Sequence, residues 1–408
     1  MEKSRNLAHR KANCKLYVTD STGRALAGQT LTLKQTNHKF LFGCGAFDML
    51  SYTGELSGDE LTFWKDRADK WLELFNYGTL PFYWGTYEPE EGKPQQESRR
   101  KAAEFLTAHK VKVKGHPLCW HTECADWLLK YDNKTILDKQ LKRIEREVTA
   151  FKGLIDMWDV INEVVVMPDY DRYDNAVTRI CKDKRRIGLV KETFAAAKTA
   201  NLDSVLLIND FNTSVSYEIL IDGCLEAGVP IGAIGIQTHQ HQRYWGTEKL
   251  ERVLERYEQF GLPIHFTENT LLSGDMMPED IKDLNDYQVE DWPSTPQGEE
   301  RQMRQLEEMY RILFAHPLVE AITGWDFADG AWLNAPSGVV RRDNSLKPSY
   351  LKLKEMIKGE WWTDCKIHTD ENGYAMAEGF KGDYVVCCGN KKACVTLDSE
   401  REKKIVLE

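Results

Sequence analysis

A repeated alternation of short apolar runs and longer charged segments fills the middle of this 408-residue chain. Eight apolar runs stand out, at residues 40–47, 77–83, 111–118, 157–161, 204–208, 233–237, 264–267 and 321–325. Segments of helical period separate many of them, clearest at 98–109, 137–151, 186–200, 247–260 and 299–315. Strands regularly spaced by helices imply βα units and a parallel sheet. Eight such units close naturally into a (β/α)₈ barrel. The ends of the chain differ. Near the N-terminus CKLYVTD and TLTLKQT alternate apolar and polar residues around a Gly-containing turn, which predicts a β-hairpin. Short strand patterns return after Trp361-Trp362. The expected architecture is an α/β barrel over 39–359. Segments 1–38 and 360–408 pair beside it as a small accessory β module, with the two tryptophans at the junction.

Composition narrows the partners. The net charge of −10 offers no positive field for a nucleic-acid backbone. No apolar run is long enough to span a membrane. A neutral substrate such as a carbohydrate is compatible with both facts. No apolar stretch follows the positive charges of the first residues, so a cytoplasmic location is expected. The ten cysteines form no CxxC pair and are expected to be free thiols.

In a barrel of this kind the site lies at the carboxyl ends of the strands. There the sequence is loaded with polar and aromatic residues: GHPLCWH after strand three, WDVINE at strand four, NDFN at five, QTHQH at six, TEN at seven and WDF at eight, followed by Trp332. Hydrolysis of a glycoside with retention needs two carboxyl groups about 5–5.5 Å apart, one protonated and one ionised. Glu163 and Glu268, from strands four and seven, can face each other across a barrel mouth. Taken singly, each is equally well read as a surface charge near a bend; their neighbours favour the paired reading. Asn162 suits a hydrogen bond to a sugar 2-hydroxyl, and His239 is placed to orient Glu268. Trp120, Trp325 and Trp332 offer flat apolar faces to sugar rings. Trp84 and Trp158 read as packing residues, and Asp326 and Asp329 as supports of the last loop.

At these motifs the chain resembles glycoside hydrolase family 10, the β-1,4-xylanases. KGHPLCWHTECADWL is similar to that family's KGH-x-L-x-WH segment, WDVINEVV to its acid/base strand, and VLLINDFN to its NDYN segment. GIQTHQH is similar to GIQ-x-H, and HFTENT to the nucleophile strand. The resemblance implies a TIM barrel and a retaining glycosidase that needs no metal or organic cofactor. It puts the acid/base role on Glu163 and the nucleophile on Glu268. It places His116, Gln237 and His239 around the reacting sugar. One departure is informative. Where the family carries E-N-x-M-K-W, this chain has Thr79-Leu80-Pro81-Phe82-Tyr83-Trp84, so Tyr83 stands in place of a sugar-binding lysine. An aromatic glycone pocket is expected, and with it an alternative substrate class: short oligosaccharides or aryl and terpenoid glycosides cleaved in exo fashion. An alternative of another class is a zinc-dependent barrel hydrolase using His239, His241, His116, His121 or His265.

Overall fold

The computed structural model describes residues 6–399 and 401–408. Fifteen strands run along the described chain. They are β1 (Lys11–Asp20), β2 (Thr30–His38), β3 (Leu41–Gly45), β4 (Tyr77–Pro81), β5 (Lys112–His116), β6 (Met157–Asn162), β7 (Val205–Asp210), β8 (Ala233–Gln240), β9 (Ile264–Leu271), β10 (Val319–Gly324), β11 (Asp364–His368), β12 (Tyr374–Phe380), β13 (Gly382–Cys388), β14 (Lys391–Leu397) and β15 (Lys403–Leu407). Strands β3 to β10 form a closed barrel in sequential order, β10 returning to β3, with every neighbouring pair parallel. Both faces of such strands are covered, so they read as unbroken apolar runs rather than as alternating ones; β3, β4 and β9 are buried along their whole length.

Helices fill the crossovers, among them Gly58–Leu74, Gln96–Ala108, Asn133–Ala150, Arg186–Ala200, Val215–Glu226, Gly246–Tyr257 and Pro296–Ala315. The last starts on a clear local signal: the Thr295 hydroxyl accepts the Gly298 N–H, and Pro296 sits in the first turn, where its missing N–H costs nothing. No helix among the described residues is long and apolar enough to cross a membrane.

The two ends of the chain form two small sheets, ordered β12-β1-β15 and β11-β2-β13-β14. Their buried alternate residues, among them Cys14, Leu16, Val18, Leu31, Leu33, Ala377, Val386 and Leu397, make a second core. The predicted N-terminal hairpin does not form. Strand β1 pairs with β12 and β15, and β2 with β11 and β13. Alternation fixes which side chains point inward but not which strand lies alongside. Here β1 and β2 turn their apolar faces towards each other from opposite sheets. All ten cysteines are free.

The module abuts the amino ends of the barrel strands, opposite the mouth. His38, at the end of β2, places its ring Nε2 3.0 Å from the Ile357 carbonyl. Trp361 stacks on Phe314 (centroids 4.3 Å apart) and on Phe42 (5.7 Å). The Arg10 guanidinium donates to the carbonyls of Phe314, His316 and Val319, at 2.8, 2.6 and 2.6 Å, and lies over the Phe40 ring. Charge-assisted hydrogen bonds of this kind are worth more than neutral ones. Arg10→Ala is therefore expected to destabilise the protein by about 3 kcal/mol, measured as a lowered denaturation midpoint. An unchanged midpoint would mean that this clasp contributes nothing.

Candidate functional site

Strand β6 delivers Asn162 and then Glu163 to the carboxyl end of the barrel. Glu163 leaves the strand with φ +57°, in the left-handed region that non-glycine residues rarely occupy. Its backbone N–H is held by the Asn209 carbonyl at 2.8 Å. Its carboxyl is ringed by donors. The Trp120 indole N–H reaches Oε2 at 2.9 Å, while the amides of Gln237 and Asn162 reach Oε1 at 3.2 and 3.3 Å. Trp120 was expected as a sugar platform; its N–H edge is committed to Glu163, a distinction that residue type alone does not carry.

Glu268, on β9, is held differently. The Asn209 amide donates to Oε1 at 2.7 Å, and His239 Nε2 lies 3.1 Å from Oε2. An ionised carboxylate only accepts, so His239 Nε2 carries a proton, while Nδ1 faces the Thr270 hydroxyl at 3.4 Å. His116 Nε2 stands 3.9 Å from Oε1. Behind it, Asp159 Oδ2 accepts from His116 Nδ1 (2.7 Å) and forms an ion pair with Lys114 Nζ (2.6 Å), all three residues being fully buried. Asn209 joins the two carboxyl environments: its amide donates to Asn162 Oδ1 as well as to Glu268, and its oxygen takes the Thr267 hydroxyl at 2.6 Å. The Gln237 amide donates to the same Asn162 oxygen at 3.0 Å.

These surroundings push the two carboxyls apart. Burial, reinforced by the nearby Glu268 charge, raises Glu163 to about 8. Burial acts on Glu268 too, but the positive fields of His116, His239 and Lys114 and the His239 hydrogen bond outweigh it, and its pKa falls below the ordinary 4.5. One group is thus kept as an acid and the other as an anion across the neutral range. A raised carboxyl pKa has a stability consequence of definite sign. The folded form of Glu163 favours the proton, so its contribution is complete below pH 4.5 and is lost as pH rises towards 8. Gln at that position carries no charge at any pH. The unfolding midpoint of Glu163→Gln minus that of the parent should therefore grow between about pH 4.5 and 8 and level off beyond; a difference flat across that range would refute the raised pKa.

Aromatic rings wall the same cleft. Tyr83 meets His116 edge-on at 5.7 Å and Trp120 at 5.5 Å. Trp325 stands edge-on to His116, His239 and Phe47 at 5.3, 5.8 and 5.2 Å. Trp332, from the loop after β10, packs on His239 at 4.7 Å and on His241 at 5.1 Å. Burial and the surrounding carboxylates raise the Tyr83 phenol well above its usual range, so it stays a neutral donor where a lysine was looked for.

All ten residues picked out in the sequence lie at this mouth. Those hydrogen bonded around the two carboxyls are Asn162, Gln237, His239 and Trp120, while Tyr83, Trp325 and Trp332 form walls and His116 bridges to Asp159. Asn209, Asp159, Lys114 and Phe47 were not among them. The first three carried a visible signal, a polar or charged residue inside an otherwise apolar barrel strand. Trp84 and Trp158 are buried packing residues, as anticipated. Asp329 accepts from Lys347, Ser294 and the Gly338 N–H, and Asp326 from Ser337, so both brace the last loop. Among the described residues no three His, Cys, Asp or Glu side chains converge as a metal-binding group.

Residues 82–355 match the model of Glycosyl hydrolase family 10. Endo-1,4-beta-xylanase B of Thermotoga neapolitana is 26% identical over 324 residues, covering 72% of this chain and 86% of its own length. The anti-sigma-I factor RsgI6 of Acetivibrio thermocellus is 24% identical and aligns with 96% of this chain, which spans only 47% of that longer protein. The solved structure of xylanase 10B from Thermotoga petrophila, in complex with xylobiose, superposes with a TM-score of 0.63 at 24% identity, covering 79% of this chain and 95% of that one. With its closed eight-stranded barrel and its paired carboxyls at the mouth, this chain belongs to glycosyl hydrolase family 10 and is a glycoside hydrolase.

Proposed function

We propose that this protein cleaves β-glycosidic bonds with retention, by double displacement, on xylan-type β-1,4 chains. Glu268 attacks the anomeric carbon while Glu163 protonates the departing oxygen; Glu163 then takes a proton from the water that releases the sugar. The observation that carries this reading is the opposite displacement of two buried carboxyls joined through Asn162 and Asn209. Asn162 and Gln237 hold the acid in position, and His239 and Asn209 hold the nucleophile. His116, backed by Asp159 and Lys114, places its Nε2 3.9 Å from Glu268 Oε1, where the glycosyl–enzyme ester forms and breaks. Relatives described as endo-1,4-beta-xylanases support the substrate class.

The aromatic wall of Tyr83, Phe47 and Trp325 favours a second reading of the substrate: short oligosaccharides or aryl glycosides cleaved from one end. Rates on polymeric xylan, xylo-oligosaccharides and aryl β-glycosides separate the two. Rapid fall in xylan viscosity supports internal cleavage, and activity confined to short substrates supports the second reading. The first anomer released should be β by NMR; an α product would overturn the double displacement.

A further inference from the structure

We infer that Asp210 and Arg186 are positioning residues that clamp the loop carrying Glu163; the inference rests on the acid/base role proposed above. Glu163 leaves β6 in a left-handed conformation, so the chain must be held on its far side for the carboxyl to keep its aim. Two residues beyond, both backbone groups of Val165 are taken by side chains from other elements. Its N–H donates to Asp210 Oδ2 at 3.0 Å, and its carbonyl accepts from Arg186 Nε at 2.8 Å.

Each clamp arm is itself anchored. Asp210, fully buried at the end of β7, uses its other oxygen to accept the Asn212 N–H at 2.9 Å, which fixes the carboxyl plane. Arg186 opens the helix Arg186–Ala200 and pairs with Asp169 on the same loop. Val165, Pro168 and Asp169 border an open cavity of about 680 Å³, together with Ile187, Ile219 and Leu220. Farther along, Met167 is buried and its carbonyl accepts the Thr178 hydroxyl at 2.9 Å, so these two contacts hold the stretch between the strained Glu163 and that anchor. Neither side chain hydrogen bonds to the Glu163 carboxyl; both hold its position through the backbone, and the nearby Asp210 charge also helps to raise its pKa, which leaves Arg186 as the purely positional arm.

A displaced acid hurts only reactions that need a proton on the leaving group. The test therefore compares kcat/KM, which reports the first displacement, for phenyl and 2,4-dinitrophenyl β-xylobioside in the full chain. Asp210→Ala and Arg186→Ala should each lose on the order of 10²-fold on the phenyl substrate and several-fold or less on the dinitrophenyl one. Arg186→Lys, which keeps one donor for the carbonyl, should recover part of the loss. If the loss of buried Asp210 costs its variant the fold, the half-exposed Arg186 keeps the test open. Equal losses on both substrates, or no loss in Arg186→Ala, would overturn the clamp. Glu163→Ala is run alongside. If it discriminates between the leaving groups while the clamp variants do not, the clamp alone falls; if it does not discriminate, the acid/base reading falls and the clamp with it.

Discussion

Glu268→Ala should fold normally and turn over glycosides at least about 10⁴-fold more slowly than the parent. The side chain removed is the proposed nucleophile, and its donors, Asn209 and His239, would be left facing a small cavity. Azide fits such a cavity and those donors suit an anion. With 2,4-dinitrophenyl β-xylobioside, azide should restore turnover and yield the α-glycosyl azide, inverted because a single displacement replaces two. Recovery of the β-azide, or wild-type rates without azide, would remove Glu268 from the nucleophile's place.

Glu163→Ala should give a different pattern. On substrates with poor leaving groups, kcat/KM should fall about 10²–10⁴-fold, the range for a lost general acid. On the dinitrophenyl substrate the first displacement needs no proton and should survive. The second still lacks its base, so the glycosyl–enzyme accumulates and kcat and KM fall together. Azide should then raise kcat and give the β-azide, the mirror of the result for Glu268→Ala. The pH profile supplies an independent readout. In the parent, kcat/KM should fall on the acid side below about pH 4.5, as Glu268 takes a proton, and on the alkaline side near pH 8, as Glu163 loses one. The alkaline limb should disappear in Glu163→Ala with the dinitrophenyl substrate. Its persistence there would assign that limb to another group.

The barrel was legible in the sequence because its strands are mostly apolar, largely buried runs, separated by segments of helical period, a pattern few other arrangements produce. Glu163 and Glu268 were legible for a related reason: charge at the end of an apolar strand has no packing purpose. The partners of these residues were harder to read. Asn209 sits in NDFN, where nothing local says that its amide spans 47 residues to Asn162 and 59 to Glu268. Lys114 and Asp159 are each costly to bury alone; they neutralise one another only once β5 and β6 lie side by side. The pairing of β1 escaped for the same reason. Burial alternation is written along one strand, whereas the identity of its neighbour is written elsewhere in the chain.

That last point bears on how the molecule is made. Tyr17 on β1 lies opposite Tyr374 on β12, and Leu16 lies beside Lys403 on β15. During synthesis at about 5–20 residues per second, the first two strands wait on the order of tens of seconds for any sheet to join. Throughout that interval they are bare edges, guarded by the outward-facing Lys11, Asn13 and Lys15. The barrel can close before the module does, so the foot of the enzyme is fastened after the barrel, by strands β11 to β15 that follow it in the chain.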